Sequence, residues 1–267
     1  MTAGGNVVVS GQLIPAWTIS PFFQSYLAGL QLSNDVSLPN TVLDITAGVC
    51  SDSTNVVYIQ LGSFTKSTGG AWVAGTGQNG MGNGLTIANT TWYHVFAIVN
   101  SGVADIYFDT SASAANAPTG TTAVRRIGAV KTDASAHILA FTQFGDEFLW
   151  KNPPIDVNAL TPAATQTLYT LNTPLGVQVR AFGYALVVYT GTNDSVSLYP
   201  PDMGTQAANA WFTNASSIVV SSAATKNTVY QFIRTNLSSQ IAALCNNASA
   251  ELIWTTFGWE DRRGRDI

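Results

Sequence analysis

Apolar residues in this chain alternate with polar ones over short runs, and clusters of Gly, Asn, Ser and Pro break the runs roughly every eight to fifteen residues. That spacing predicts strands of a sandwich or barrel. The segment 91–99 (TWYHVFAIV) is aromatic and β-branched, 100–102 (NSG) is a turn, and 103–108 (VADIYF) alternates, so the three predict a hairpin. Further strands are predicted at 56–61, 124–130, 136–142 and 147–150. After Lys151-Asn152-Pro153-Pro154 a second series follows at 165–171, 177–189, 196–199, 218–221, 228–234, 241–244 and 250–257. Val229, Phe232 and Ile233 break strict alternation within that series. Only 22–32 (FFQSYLAGLQL) has a helical period.

The fold class expected is therefore all-β, with two consecutive jelly-roll-like β-sandwich domains. Adjacent prolines cannot donate backbone hydrogen bonds and favour an extended connector. This puts the domain boundary after residue 152, giving a first sandwich over 26–152 and a second over 153–267. Residues 1–25 form an N-terminal arm, and no charged side chain precedes Asp35. Such an arm is expected to attach to a partner.

Composition sharpens this picture. Only 10% of the residues are charged, against about 25% in ordinary soluble domains. Six charges crowd the final stretch: Glu260, Asp261, Arg262, Arg263, Arg265 and Asp266. With so little charge elsewhere, that cluster is expected to form an ion-pair lock, with Trp259 packed beside it. The three arginines would pair with the neighbouring carboxylates or with those of a second subunit. A net charge of −4 argues against nucleic-acid binding. No apolar run is long enough to cross a membrane as a helix. Cys50 and Cys245 lack metal-ligand spacing and are expected to be buried free thiols.

Catalytic patterns are weak. Gly75, Gly77 and Gly80 match a dinucleotide-loop spacing, but Met81-Gly82-Asn83-Gly84 follows where a helix is required. The stretch 75–84 is expected to be a long mobile loop. Asp105 and Asp109 fall on one strand face but roughly 14 Å apart, too far for a glycosidase pair. Asp146 and Glu147 point to opposite faces. His94 and His137 read as structural, and no nucleophile elbow occurs. No catalytic residue, metal or cofactor is expected.

Several ordered motifs carry a resemblance. They run from YLAGL (26–30) and LSND (32–35) through DITAG (44–48), SDST (51–54), AWVAGT (71–76), WYHVF (92–96), FDTS (108–111), RRIG (125–128) and GDEF (145–148). They end in FGW (257–259) and DRRGRD (261–266). Over about residues 26–267 the chain resembles bacteriophage tail-fibre-like virion proteins. The resemblance implies a noncatalytic tail appendage, trimeric by analogy with fibres, placed in the virion and assembled in the host cytoplasm. Its partners would be other virion proteins, through the arm, and a host-surface glycan. Tyr199, Asp202, Trp211 and Phe212 are the expected glycan contacts, because aromatic rings stack on sugar faces beside polar groups. Trp259, Arg262, Arg263, Arg265 and Asp266 are the expected subunit interface. A head or tail decoration protein and a polysaccharide depolymerase are the alternatives. A long fibre shaft is not expected, since so few residues precede the matched region.

Overall fold

A computed structural model gives the fold. It describes Val7–Val9, Gln12–Ile14 and residues 24–188, 194–206, 216–220, 226–246 and 250–265. The chain divides into two compact units. One comprises Met1–Gly145 with Arg262–Ile267, and the other Asp146–Asp261. The division falls seven residues before the expected boundary, because 147–150 belongs with the second unit's strands and Pro153-Pro154 lies inside it. The described residues 262–265 group with the first unit, which the expected span of 153–267 did not provide for.

The expectation of an all-β chain holds: among the described residues strands predominate and none lies in an α-helix. In the first unit these are β1 (Val7–Val9), β2 (Gln12–Ile14), β3 (Leu27–Gly29), β4 (Leu32–Asn34), β5 (Val42–Ile45), β6 (Gly48–Ser51) and β7 (Tyr58–Leu61). They continue with β8 (Phe64–Ala71), β9 (Gln78–Met81), β10 (Trp92–Asn100), β11 (Val103–Asp109), β12 (Thr121–Lys131) and β13 (Phe141–Phe144). The main sheet runs β12-β10-β11-β9-β8-β5-β4, and β3-β6-β7 forms a smaller one. From Trp92 to Ile98 every β10 residue is buried, so both faces of the sheet are covered there. On one face Phe96, Ile98 and Tyr107 pack with Trp72, Ala114, Ala117 and Val124.

The predicted hairpin is β10 and β11, paired from His94↔Asp109 to Asn100↔Val103. Ser101 (φ 49°) and Gly102 (φ 82°) both turn left-handed. Two positive φ values are what a tight hairpin turn matching strand twist requires. The helical expectation at 22–32 is overturned where the structure describes it, since β3 and β4 occupy 27–29 and 32–34. Strand pairing with β6 and β5 overrides the weak helical period there.

The expected loop at 75–84 is corrected too, because it contains β9, parallel to both β8 and β11. A Cβ on Gly80 would stand 2.6 Å from Lys66 Cγ and 2.9 Å from Phe108 Cε2. The missing side chain lets β9 slide beneath both residues.

The second unit contains β14 (Glu147–Trp150), β15 (Ile155–Leu160), β16 (Thr167–Thr170), β17 (Arg180–Val188), β18 (Asp194–Tyr199), β19 (Ser216–Val220), β20 (Lys226–Arg234), β21 (Gln240–Cys245) and β22 (Glu251–Glu260). One sheet runs β14-β22-β17-β20, with β15 also on β22; the other runs β16-β21-β18-β19. They enclose a common core. Val157, Ala181, Val187, Ile233 and Trp254 come from the first sheet, and Tyr169, Leu198, Ile241 and Cys245 from the second. This is a β-sandwich.

Candidate functional site

The C-terminal turn supplies the clearest constellation. Arg263 is buried and gives its guanidinium to main-chain carbonyls. Nε donates to Ile127 O at 2.8 Å, and Nη2 donates to Gly29 O at 3.1 Å and to Leu30 O. The geometry of those acceptors explains the contact. Between β10 and β12 the register jumps from Val95↔Gly128 to Phe96↔Arg126, leaving Ile127 as an extra residue. Gly29 (φ 69°) and Leu30 (φ 51°) turn left-handed where β3 ends. Irregular backbone leaves carbonyls outside the ladder, and buried carbonyls need donors. Arg263 meets three of them, and Arg125 Nε donates in turn to Arg263 O at 3.2 Å.

Two members of the expected ion-pair cluster have other partners: Arg263 donates to main-chain carbonyls and Glu260 pairs across the sheet. Arg263 is an internal strut, and Glu260 pairs with Arg180 at 3.1 Å. Arg262 is exposed, and Arg265 Nε donates to Arg262 O at 2.9 Å within the turn. Trp259 is fully buried in the second unit's core, stacked on Phe148 at 5.1 Å and tilted against Trp150 at 5.0 Å. It therefore offers no interface surface. Asp266 lies outside the described residues.

The first unit buries further charge. Lys66 is fully buried and donates to Asp105 at 2.7 Å, Val73 O at 2.8 Å and Gly75 O at 3.0 Å. Burial draws the Lys66 ammonium below its ordinary pKa, against the pull of Asp105. Asp105 also accepts from Gly75 N and Ile106 N, both at 2.6 Å. Asp109 accepts from Ser111 N at 2.8 Å, and from Asn116 N at 2.8 Å and Nδ2 at 2.7 Å. Asp52 accepts from Thr54, Val56 and Val57. Burial raises its pKa, but these donors outweigh burial and hold the carboxyl below its usual range. His94 Nδ1 accepts from Arg126 Nε at 2.8 Å. Cys50 and Cys245 are buried and outside any disulfide, one in each unit, and Cys245 Sγ donates to Pro162 O at 2.7 Å. Burial pushes Cys50 up to about 12, although Arg125 and Arg263 pull the other way.

A groove of about 370 Å³ in the first unit is lined by Asp52, Thr54, Ser113, Pro118 and Thr122 among others. Its single carboxylate is the one already held by Thr54, Val56 and Val57. Among the described residues no cluster of His, Cys, Asp or Glu is arranged to hold a metal ion.

The expected glycan loop is only partly described. Tyr199 is 1% exposed, packed with Ala242 and Leu244, so it is no surface contact. Leu198 beside it faces the sandwich core, so Tyr199 lies on the opposite face of its sheet, where it is buried with Ala242 and Leu244. Asp202 lies on a 3-10 turn (Pro201–Met203) and forms an ion pair with Arg234. Trp211 and Phe212 lie outside the described residues.

What the sequence reading missed is the outer face of β22-β17-β20. Phe182 stands opposite Phe232 and Tyr184 opposite Tyr230 across β17 and β20. Tyr184 meets Phe257 edge-on at 4.7 Å, and Tyr230 meets Phe232 edge-on at 4.9 Å. These are favoured aromatic geometries. Yet Tyr184, Tyr230 and Phe232 remain 45%, 43% and 54% exposed, and Ile155 and Leu149 extend the patch at 60% and 38%. The signal was present in 228–234, where outward aromatics defeat a polar-out pattern. No family model and no curated protein sequence matches this chain.

Proposed function

We propose that this chain is a noncatalytic structural subunit of a phage particle that works by surface contact. The aromatic outer face of the second unit carries the reading. An apolar patch of that kind on a β-sandwich marks a contact surface, and aromatic side chains are enriched at such surfaces. Asp105 and Asp109 support it as well, since both hold backbone amides and neighbouring side chains. Between host attachment and cementing of neighbouring subunits, the burial of Tyr199 favours cementing, because it removes an aromatic ring from the expected glycan loop.

The test is immunogold labelling of purified phage particles from the strain that encodes the chain. Label on tail or head at regular positions is the expected result. Particles free of the protein by labelling and by mass spectrometry would overturn the reading.

A further inference from the structure

We infer that the aromatic face of the second unit is a self-association surface, and that it joins two copies face to face about a twofold axis parallel to its strands. The inference rests on reading this face as an assembly surface; it does not depend on placement in a particle.

Charge decides the arrangement. The outward positions of β22 and β14 include Glu251, Glu260 and Glu147, and those of β20 include Lys226 and Arg234. Registers place Val188 between Lys226 and Glu251 at one end of the face, and Arg180 between Arg234 and Glu260 at the other. Acids therefore run along the β22–β14 side and bases along the β20 side, with Phe182, Tyr184, Tyr230, Phe232 and Phe257 between them. In a chain with so few charges, this ordering around an apolar centre has the anatomy of an interface core and rim.

Two sheets facing each other about a twofold axis have two simple orientations. With the axis across the strands, β22 lies over β22 and acids meet acids. With the axis along the strands, β22 of one copy lies over β20 of the other. Glu251 then faces the partner's Lys226, and Glu260, already paired with Arg180, lies towards the partner's Arg234, already paired with Asp202; the reverse holds by symmetry. The second orientation keeps acids off acids and sets Glu251 against the partner's Lys226, while Arg180, which falls near the axis, is held by Glu260 of its own copy at 3.1 Å.

Size agrees with a contact that needs its rim. Four strands about 4.8 Å apart and nine residues at about 3.4 Å give a flat face of roughly 400 Å². That is about half of what a standard interface buries per partner. Aromatic relief and the charged edges must supply the remainder. A trimer would use two different patches on each copy, whereas this face complements itself.

The experiment is sedimentation equilibrium on the full chain with paired charge variants. The wild type is expected at twice 28.2 kDa. Lys226→Glu with Arg234→Glu makes both edges acidic, and Glu147→Lys with Glu251→Lys and Glu260→Lys makes both basic. Each variant alone is expected to dissociate at least tenfold more readily, and an equimolar mixture should regain the dimer mass. Tyr230→Ser with Phe232→Ser should weaken association by about tenfold or more, with the far-ultraviolet spectrum unchanged. A monomeric or trimeric wild type, charge variants that associate like the parent, or a mixture that fails to recombine would each overturn the inference. So would a monomer whose tyrosine fluorescence responds to host polysaccharide, which would make the face a glycan surface. Failure of particle labelling would leave these masses untouched, so the two readings fall separately.

Discussion

The two units deploy their scarce charge in opposite ways. The first buries Asp52, Lys66, Asp105, Asp109, Arg125, Arg126 and Arg263. The second buries Asp261 and sets Arg180, Lys226, Arg234, Glu147 and Glu251 on its exposed surface. Backbone regularity accounts for the difference. The first unit is built largely from short strands, long excursions and a bulged β12, which leave amides and carbonyls outside the ladders. Charged side chains satisfy those groups more strongly than neutral ones. In the second unit β17, β20 and β22 pair over nearly their full lengths. Their one register shift leaves the apolar Phe257 as the extra residue, and Asp156 is a half-buried carboxylate that holds backbone at Asn172 N, so most of the remaining charge is left for the rim of a contact face.

The first way to break this comparison is to remove a strut. Lys66→Met leaves the buried Asp105 carboxylate without its counter-ion, held only by the Gly75 and Ile106 amides, and takes the donor from Val73 and Gly75 carbonyls. We expect a loss of about 3–5 kcal/mol in urea unfolding followed by tryptophan fluorescence. A loss below about 1 kcal/mol would class the pair with surface ion pairs. Next comes the second unit's reliance on apolar packing. Trp259→Leu vacates the space between Phe148 and Trp150 and should cost about 2–3 kcal/mol. That loss should leave oligomer mass unchanged at protein concentrations where the variant stays folded. Dissociation without destabilisation would return Trp259 to the interface.

A smaller effect sharpens the role of Asp52. Its folded pKa lies below the ordinary 3.8, so over that interval the unfolded chain binds more protons than the folded one. Its contribution is complete above about 3.8 and disappears as the pH falls through the folded value. Asp52→Asn should therefore flatten the acid limb of the stability curve and change the alkaline limb little. Parallel acid limbs for variant and parent would contradict the assignment.

Much of the fold was legible in the sequence. The β10–β11 hairpin and β17 declare themselves through dense β-branched and aromatic residues around turn signals. The strand β9 does not, because Gln78-Asn79-Gly80-Met81 lacks strand-formers and is held by pairing on both sides. The dense C-terminal charge was visible, but its use was not. Arg263 pairs with carbonyls of residues far away in the chain, and those acceptors exist only because β12 bulges and 29–30 turn left-handed. The contact face was hidden for a related reason. Tyr184, Tyr230 and Phe232 look like core residues in sequence, and only the register shows that they share the outward side.

The contrast between struts and rim is tested most directly by two arginines measured side by side. Arg263→Met and Arg180→Met remove the same charge and leave a similar apolar stem. Urea unfolding of both, at protein concentrations where association is absent, should show a loss of about 3 kcal/mol for Arg263→Met. The loss for Arg180→Met, whose side chain is 59% exposed, should stay within about 1 kcal/mol. Equal losses, or a larger one at Arg180, would contradict the account.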